Sequence, residues 1–531
     1  MFWIAIFAIL AYFIYKSVIK PMSYWKERNI IYSKPWPILG SMSAFLTRTK
    51  SLMELFKDLY NEFPDRRYNG IFGFRQPQLL LRDPELIKQI TIKDFDYFMD
   101  RTNQISEQVD PIFSKILVAL SGQKWRDMRA VLSPSFTSNK MKFMFQLISE
   151  CAEKFTEYFE KQSDKVVSVE MKEMFTRFTN DAIATTAFGV TVDSLNEKNN
   201  EFYLMGQEFS NVGGARALRF VGYSVFPALM RLLRISMFPS SFTDFFRCII
   251  KETIEVREKH GTVRPDMIHL LLQTRAGKSL KEDDHNVDEI GFAVVDEPST
   301  VKAEIQSRKT PLTDDEITAQ ALLFFSAGFE TTATLSCFMS YELAVNPDIQ
   351  EILQKEIDEA LDKCNGKITY DVLLGMKYMD MVVSETLRKW PPGIALERRC
   401  VNNYTLQPVL PDEEPLVIEK GISVLISIVG IHHDPKYFPD PDKFNPERFS
   451  EENKPNIVPG SYLPFGAGPR SCIASRFALM KAKILFFHIL AKFDIVTTEK
   501  TPIPLVLSRK KFVLVPDEGF WLGLKQRKTD S

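Results

Sequence analysis

What most limits the folds open to this chain is the segment from Thr313 to Pro347. Thr313-Asp314-Asp315-Glu316 fits a capping box, in which the Thr313 hydroxyl accepts from the first turn, Glu316 reaches back, and the acids complement the positive helix end. Asn346-Pro347 is the stop signal. A helix of ~32 residues spans about 48 Å, enough to cross a whole domain. Its middle, Ala321 to Phe329, is apolar on every side apart from Ser326, which predicts burial nearly all round. Burying such a rod takes a large core, and 531 residues with 45% hydrophobic and 12% aromatic content can build one. Length alone, at ~150 residues per domain, suggests about three or four domains or one unusually large one.

Charge excludes one class of partner. Lys+Arg 67 against Asp+Glu 68 leaves a net charge of −1, so nothing global draws the chain to nucleic acid. The six cysteines (Cys151, Cys248, Cys337, Cys364, Cys400 and Cys472) lie far apart with no C-x-x-C pair. That spacing argues against a zinc ribbon, an iron-sulfur site or a disulfide scaffold, so any cysteine with a chemical role acts singly or with a cofactor.

Met1 to Tyr15 carries no charge, and Lys16, Lys20, Lys26 and Arg28 come after it. We read residues 1–20 as an uncleaved N-terminal membrane anchor, with the positive flank keeping the rest of the chain in the cytoplasm. Residues 21–40, ending in Lys34-Pro35-Trp36-Pro37-Ile38-Leu39-Gly40, read as a basic, proline-rich linker, and 41–531 as the globular part. Tyr68 to Arg82 reads as one or two strands of a small sheet, and most of the chain beyond Arg82 is helical in period. Arg275 to Pro311, rich in charge and turn residues, is expected to be a long connection. No internal repeat is evident.

Three places need chemistry to explain them. Ala327-Gly328-Phe329-Glu330-Thr331-Thr332 sets a carboxylate and hydroxyls beside a dry helix, where Gly328 weakens the helix and Thr331 can bond the carbonyl one turn back. The result is either a notch for ligand and water or a polar patch facing another helix. Glu385 and Arg388 share a helix face and can pair; this is an ordinary surface pair unless Arg448, in Asn445-Pro446-Glu447-Arg448-Phe449, completes a buried network with them. Pro464-Phe465-Gly466-Ala467-Gly468-Pro469-Arg470-Ser471-Cys472-Ile473-Ala474 builds a tight loop before an apolar helical run from Phe477. There Cys472 is either an inert buried thiol or a thiolate favoured by the helix N-terminus.

Phe465 to Cys472 resembles the haem-binding loop of the cytochrome P-450 superfamily. Glu385 and Arg388 resemble its glutamate-arginine motif with Arg448 as partner, Ala327 to Thr332 its oxygen-activating helix, and Trp125-x-x-x-Arg129 its helix-borne haem-propionate contact. The N-terminal anchor, His432-His433-Asp434-Pro435 and the stretch around Arg476-Phe477-Ala478-Leu479 look like insect microsomal members that handle foreign compounds. The resemblance implies a mainly α fold with small β-sheets, a single large catalytic domain behind the anchor, with one β region near the N-terminus and another near Pro502 to Leu507. It implies haem b with Cys472 as the axial thiolate and metal ligand, and O2 and NADPH as co-substrates. Electrons would come through NADPH-cytochrome P-450 reductase, with cytochrome b5 as a further partner, in the endoplasmic reticulum membrane. Thr331 and Glu330 take the catalytic places. Cys472, Arg470, Trp125, Arg129, Phe465, Gly466, Arg398 and Arg101 take the cofactor-binding ones. Ile112, Phe113, Phe324, Phe325, Phe329, Ile394, Ala395, Leu396, Val506 and Leu507 fall where family members line a substrate pocket. Lys124, Lys140 and Lys142 offer a basic face to a reductase or are solvated surface lysines. The chain departs from the pattern at Ala474, where glycine is usual; alanine favours the following helix and is expected to be tolerated.

The function expected is a membrane-anchored monooxygenase inserting one oxygen atom from O2 into lipophilic xenobiotics such as plant toxins and insecticides. A hydroxylase of an endogenous steroid, hormone or fatty acid is the alternative within the fold. A non-catalytic haem binder or peroxide isomerase is the alternative of another class. A requirement for NADPH and reductase separates the last from the others, and retention of Glu330 and Thr331 favours the monooxygenase.

Overall fold

The computed structural model describes residues 2–4, 12, 15–102, 105–211, 213–261, 264, 266–276 and 311–527. Half of the N-terminal segment read as an anchor and nearly all of the expected long connection at Arg275 to Pro311 lie outside these residues. Among the described residues the helices of eight or more residues are α1 (Leu52–Asn61), α2 (Gly122–Leu132), α3 (Ser138–Glu160), α4 (Met171–Ile183), α5 (Glu201–Ser210), α6 (Ala215–Val225), α7 (Ser240–His260), α8 (Met267–Arg275), α9 (Asp314–Val345), α10 (Pro347–Lys363), α11 (Lys377–Lys389) and α12 (Ser475–Lys492).

α9 is the axis of the molecule. Its capping box forms as the sequence predicts, with the Glu316 N–H donating to Thr313 Oγ1 at 3.2 Å and the Thr313 N–H to Glu316 Oε2 at 2.9 Å. It ends at Asn346, before Pro347. Although α9 is long and apolar enough to cross a membrane, 67% of its most apolar stretch is buried inside the protein, so it is a core helix. α4 packs along it, and α12 crosses both α9 and α3, so a single aliphatic and aromatic core joins these helices. One departure from expectation matters for function. Phe324, Ala327, Gly328 and Thr331 are not sealed by protein; they form one face, spaced at three, four and seven residues, that opens onto a cavity.

The strands are β1 (Tyr68–Gly73), β2 (Gln76–Leu81), β3 (Val166–Glu170), β4 (Ala395–Arg399), β5 (Tyr404–Leu406), β6 (Leu416–Ile418), β7 (Ser423–Ser427), β8 (Phe493–Val496) and β9 (Trp521–Gln526). They make a four-stranded sheet in the order β1-β2-β7-β4, a three-stranded sheet β3-β9-β8 and the pair β5-β6. β2 runs parallel to β7, with Leu79 opposite Val424 and Leu81 opposite Ile426, and a second apolar cluster lies under this sheet. The segment Pro502 to Leu507, expected to be β, contributes only the isolated bridge of Leu507 with Pro516. Pro502 and Pro504 have no N–H to donate, so the nearby sheet is built from β8 and β9 on either side.

Residues 21–40 are not a free linker. Trp25 is buried and its indole N–H donates to the Ile71 carbonyl at 3.0 Å. Ser33 N–H donates to Gly70 O at 2.9 Å and Gly70 N–H to Ile31 O at 2.8 Å, so the segment pairs with the edge of β1. The prolines remove donors only at their own positions, leaving Ile31 and Ser33 to bond the sheet.

Candidate functional site

One cavity of about 420 Å³ lies between α9, the loop before α12, the N-terminal part of α2 and the start of β4. The loop follows the local rules its sequence suggests. Gly466 and Gly468 take φ of +81° and +70°, and a Cβ on Gly468 would lie 1.9 Å from the Thr91 carbonyl oxygen, so the loop closes only with glycine there. Cys472 N–H donates to Phe465 O at 2.9 Å and clamps the turn. Cys472 has accessible surface only because it faces the cavity; loop and helix enclose it otherwise. Burial pushes its thiol up, opposed by the Ala474 backbone N–H and by Arg129 and Arg101. Ala474 has φ of −103°, an ordinary conformation, and its side chain faces the cavity, so alanine is accommodated where the family resemblance suggests glycine.

Positive charge gathers at one end. Arg101, Arg129 and Arg470 line the cavity beside Trp125, and Arg398 is wholly buried behind them. Arg470 lies over the Trp125 ring at 4.1 Å and donates to Met99 O and Leu120 O, both at 2.8 Å. Arg129 donates to Ser471 O at 2.9 Å, Arg101 to Arg470 O at 3.2 Å and Arg398 to Ala467 O at 3.1 Å. The carboxylates set against them are Asp100, 3.7 Å from Arg470, and Glu397, which accepts from Thr102. Burial and mutual repulsion push Arg398 well down and Arg470 down to about 9. The Arg398 Nε–H is buried with no hydrogen-bond acceptor among the described residues. Such an excess of buried cations with an orphaned donor is stable only beside an anion. An apolar slot with a thiol on one wall and guanidinium groups at its end fits haem, with its flat ring and two carboxylates.

On α9, Thr331 faces the cavity and its hydroxyl donates to the Ala327 carbonyl at 2.6 Å. Glu330, one residue and about 100° away, turns out of the cavity. Its carboxylate accepts from Lys172 Nζ at 2.5 Å, and Lys172 also reaches Thr334 Oγ1 at 2.8 Å. The expected acid-hydroxyl pair is therefore split between two faces.

Of the expected pocket residues, Phe324, Ala395 and Leu396 line the cavity. Ile112, Phe113, Phe325, Phe329, Ile394, Val506 and Leu507 are not among the residues that line it. Phe325 and Phe329 lie one residue off the open face of α9; Phe325 packs on Phe246 at 4.9 Å and Phe329 on Tyr203 at 6.0 Å. Phe113 stacks on Phe238 at 3.6 Å. Val506 is 63% exposed, on the proline-interrupted segment that leaves the sheet. Ile183, Phe136, Met144, Leu323 and Phe477 line the cavity instead. Leu323 lies in the apolar run of α9 and Phe477 opens the helical run after the cysteine loop; Ile183, Phe136 and Met144 reach the site from helices whose docking the local pattern does not specify.

Glu385 and Arg388 are wholly buried and bidentate, at 2.7 and 2.8 Å. Arg448 Nε approaches Glu385 Oε1 at 3.4 Å with ion-pair rather than hydrogen-bond geometry, and Asn445 N–H donates to the same oxygen at 2.9 Å. Of the lysines considered for docking, Lys124 is exposed and Lys142 sits 3.7 Å from Asp371.

A family model for cytochrome P450 matches residues 32–522. The chain is 46% identical over 520 residues to cytochrome P450 9e2 of Blattella germanica, covering 95% of this chain and 94% of that one. It is 37% identical over 539 residues to a probable cytochrome P450 9f2 of Drosophila melanogaster, covering 99% of this chain and all of the relative. It is also 36% identical over 511 residues to cytochrome P450 6k1 of Blattella germanica, covering 96% and 94%.

Proposed function

The chain belongs to the cytochrome P450 family, a haem-thiolate monooxygenase served by a redox partner, and from that premise we propose that it oxygenates lipophilic foreign compounds from an anchored position on the endoplasmic reticulum membrane. The observation that carries this reading is the meeting of Cys472 and Thr331 in one largely apolar cavity with an arginine cluster at its end. Cys472 would hold haem through its thiolate, and the bound group would supply activation of O2 with NADPH-derived electrons, leaving one oxygen atom for substrate and one for water.

The chain's own residues supply the rest. Arg101, Arg129 and Arg470, backed by the buried Arg398, would neutralise the haem carboxylates, and the Trp125 ring under Arg470 fixes that guanidinium. Phe465 and Gly466, which line the cavity, would let a flat ring approach the loop backbone. The Thr331 hydroxyl donates to Ala327 O and presents its oxygen lone pairs to the cavity, where it orients water. Glu330 acts on Thr331 only indirectly, its carboxylate held by Lys172 on another face of α9. Phe324, Leu323, Phe136, Ala395 and Leu396 orient the substrate by shape and exclude water. Residues 1–20 anchor the protein, the catalytic domain faces the cytoplasm, and NADPH-cytochrome P-450 reductase is the electron donor, with cytochrome b5 as a second.

The test is the carbon monoxide difference spectrum of reduced protein, wild type beside Cys472→Ser, followed by turnover of a broad lipophilic panel. We expect the thiolate band only in the wild type, with product formation dependent on NADPH and reductase. An unchanged band in the variant refutes the ligand assignment. Turnover without NADPH favours an isomerase, and activity confined to one endogenous steroid or fatty acid overturns the foreign-compound reading.

A further inference from the structure

Lys481 lies in the middle of α12, nine residues after Cys472, and is wholly buried. No carboxylate lies within ion-pair distance of it among the described residues. Of the acids on the elements packed against α12, Glu330 pairs with Lys172, Asp380 with Lys483, Glu385 with Arg388, Asp494 with Lys525 and Glu160 with Lys492, while Glu356 caps the start of α11. The Lys481 Nζ instead donates to the Gly328 carbonyl at 2.9 Å and sits 5.5 Å over the ring of Phe477, which lines the cavity.

That carbonyl is a junction. A Cβ on Gly328 would lie 2.7 Å from Ile183 Cδ1, so α9 and α4 approach closely where Lys481 arrives from α12. Three successive α9 carbonyls thus carry side-chain donors, Ala327 from Thr331 at 2.6 Å, Gly328 from Lys481 at 2.9 Å and Phe329 from Thr179 at 2.8 Å. Side-chain donors to helix carbonyls bend and loosen the ladder at that turn. We propose that Lys481 is a positioning residue for oxygen activation, its buried ammonium pinning the Gly328 carbonyl and so fixing the notch from which Thr331 faces Cys472.

A packing role does not account for this side chain. A buried cation without a carboxylate destabilises the folded state, and a hydrophobe of the same length would fill the space at lower cost. Burial alone pushes the ammonium down to about 7, the direction expected of a cation taken out of water. Placing the charge against the notch trades stability for a fixed donor.

The inference rests on the Thr331 reading above, and the experiment keeps the two apart. Holoenzyme carrying Lys481→Met, Thr331→Ala or both is compared with wild type for melting midpoint, haem content, KM, kcat for product and the share of NADPH that ends as peroxide. For Lys481→Met we expect normal haem content, a raised melting midpoint, KM within about twofold, and kcat for product lowered at least about threefold with a matching rise in peroxide. The double variant should be no less coupled than Thr331→Ala, because both act on one notch. Wild-type coupling in Lys481→Met beside an uncoupled Thr331→Ala overturns the Lys481 assignment and leaves the Thr331 reading intact. Wild-type coupling in Thr331→Ala refutes the reading beneath it. A Lys481→Met protein that melts lower, loses haem or fails to fold also overturns the proposal, since that is the signature of a structural lysine.

Discussion

His432 accepts a hydrogen bond at Nε2 from the Leu463 backbone N–H at 2.8 Å, and its Nδ1 lies 3.1 Å from the Arg388 carbonyl, so the ring is neutral and carries its proton on Nδ1. The bond ties the buried Glu385-Arg388 network to the residue that opens the cysteine loop. Burial, reinforced by Arg388, holds the imidazole down at about 3, so this tether keeps one protonation state across the working range.

Replacing His432 by alanine orphans two buried backbone groups, the Leu463 N–H and the Arg388 carbonyl. Each costs about 1–3 kcal/mol when unsatisfied. We expect a lower melting midpoint and partial loss of the thiolate band in the reduced carbon monoxide spectrum. His432→Asn, which keeps a donor and an acceptor, should lose less of both.

Acid stability should follow three buried histidines, of which His433 is pushed well below the ordinary value by burial and by Lys57. His432 is held at about 3, and burial together with Lys492 holds His488, bonded to Ser149, at about 4. All three lie below the ordinary value, so the unfolded chain binds these protons first and their contribution to folding stability falls as pH drops below about 6.5, opposed by Asp181, which burial raises to about 6. Each contributes a slope of about 1.4 kcal/mol per pH unit in that window. Denaturant titrations between pH 4 and 7 check this, and His488→Gln should flatten the slope by one proton's worth.

Glu385→Gln leaves Arg388 buried without its counter-charge and with one of the two acceptor oxygens replaced by a donor. Breaking a buried pair costs about 3–5 kcal/mol, against an exposed pair's ~0–1 kcal/mol. The expected outcome is little folded haem protein on expression. A variant that folds and loads normally would show that the carbonyls of His432, Pro441 and Lys443 suffice to hold Arg388.

Glu330→Gln should slow product formation while leaving KM close to wild type, because Glu330 lies outside the substrate cavity on Lys172. Lys172→Met should also slow product formation, by removing the cation that fixes the carboxylate. A rise in KM without change in kcat, in either variant, would place Glu330 in substrate binding instead.

Sequence alone determined the parts whose causes lie within a few residues. The capping box and proline fixed both ends of α9, glycine spacing fixed the cysteine loop, and a three-residue step put Glu385 and Arg388 on one face. Helical period also separates Phe324, Gly328 and Thr331 from Phe325, Phe329 and Glu330. Which of those faces would meet a cavity was decided by tertiary structure, because it depends on where α2, α4, α12 and β4 dock. The same holds for the partners that set the site's electrostatics, Lys172 on Glu330, Lys481 on Gly328 and His432 on Leu463, each joined across more than thirty residues of chain. A side chain's local pattern states what it can bond; only the packed core decides what is within reach, since burial removes water as the competing partner.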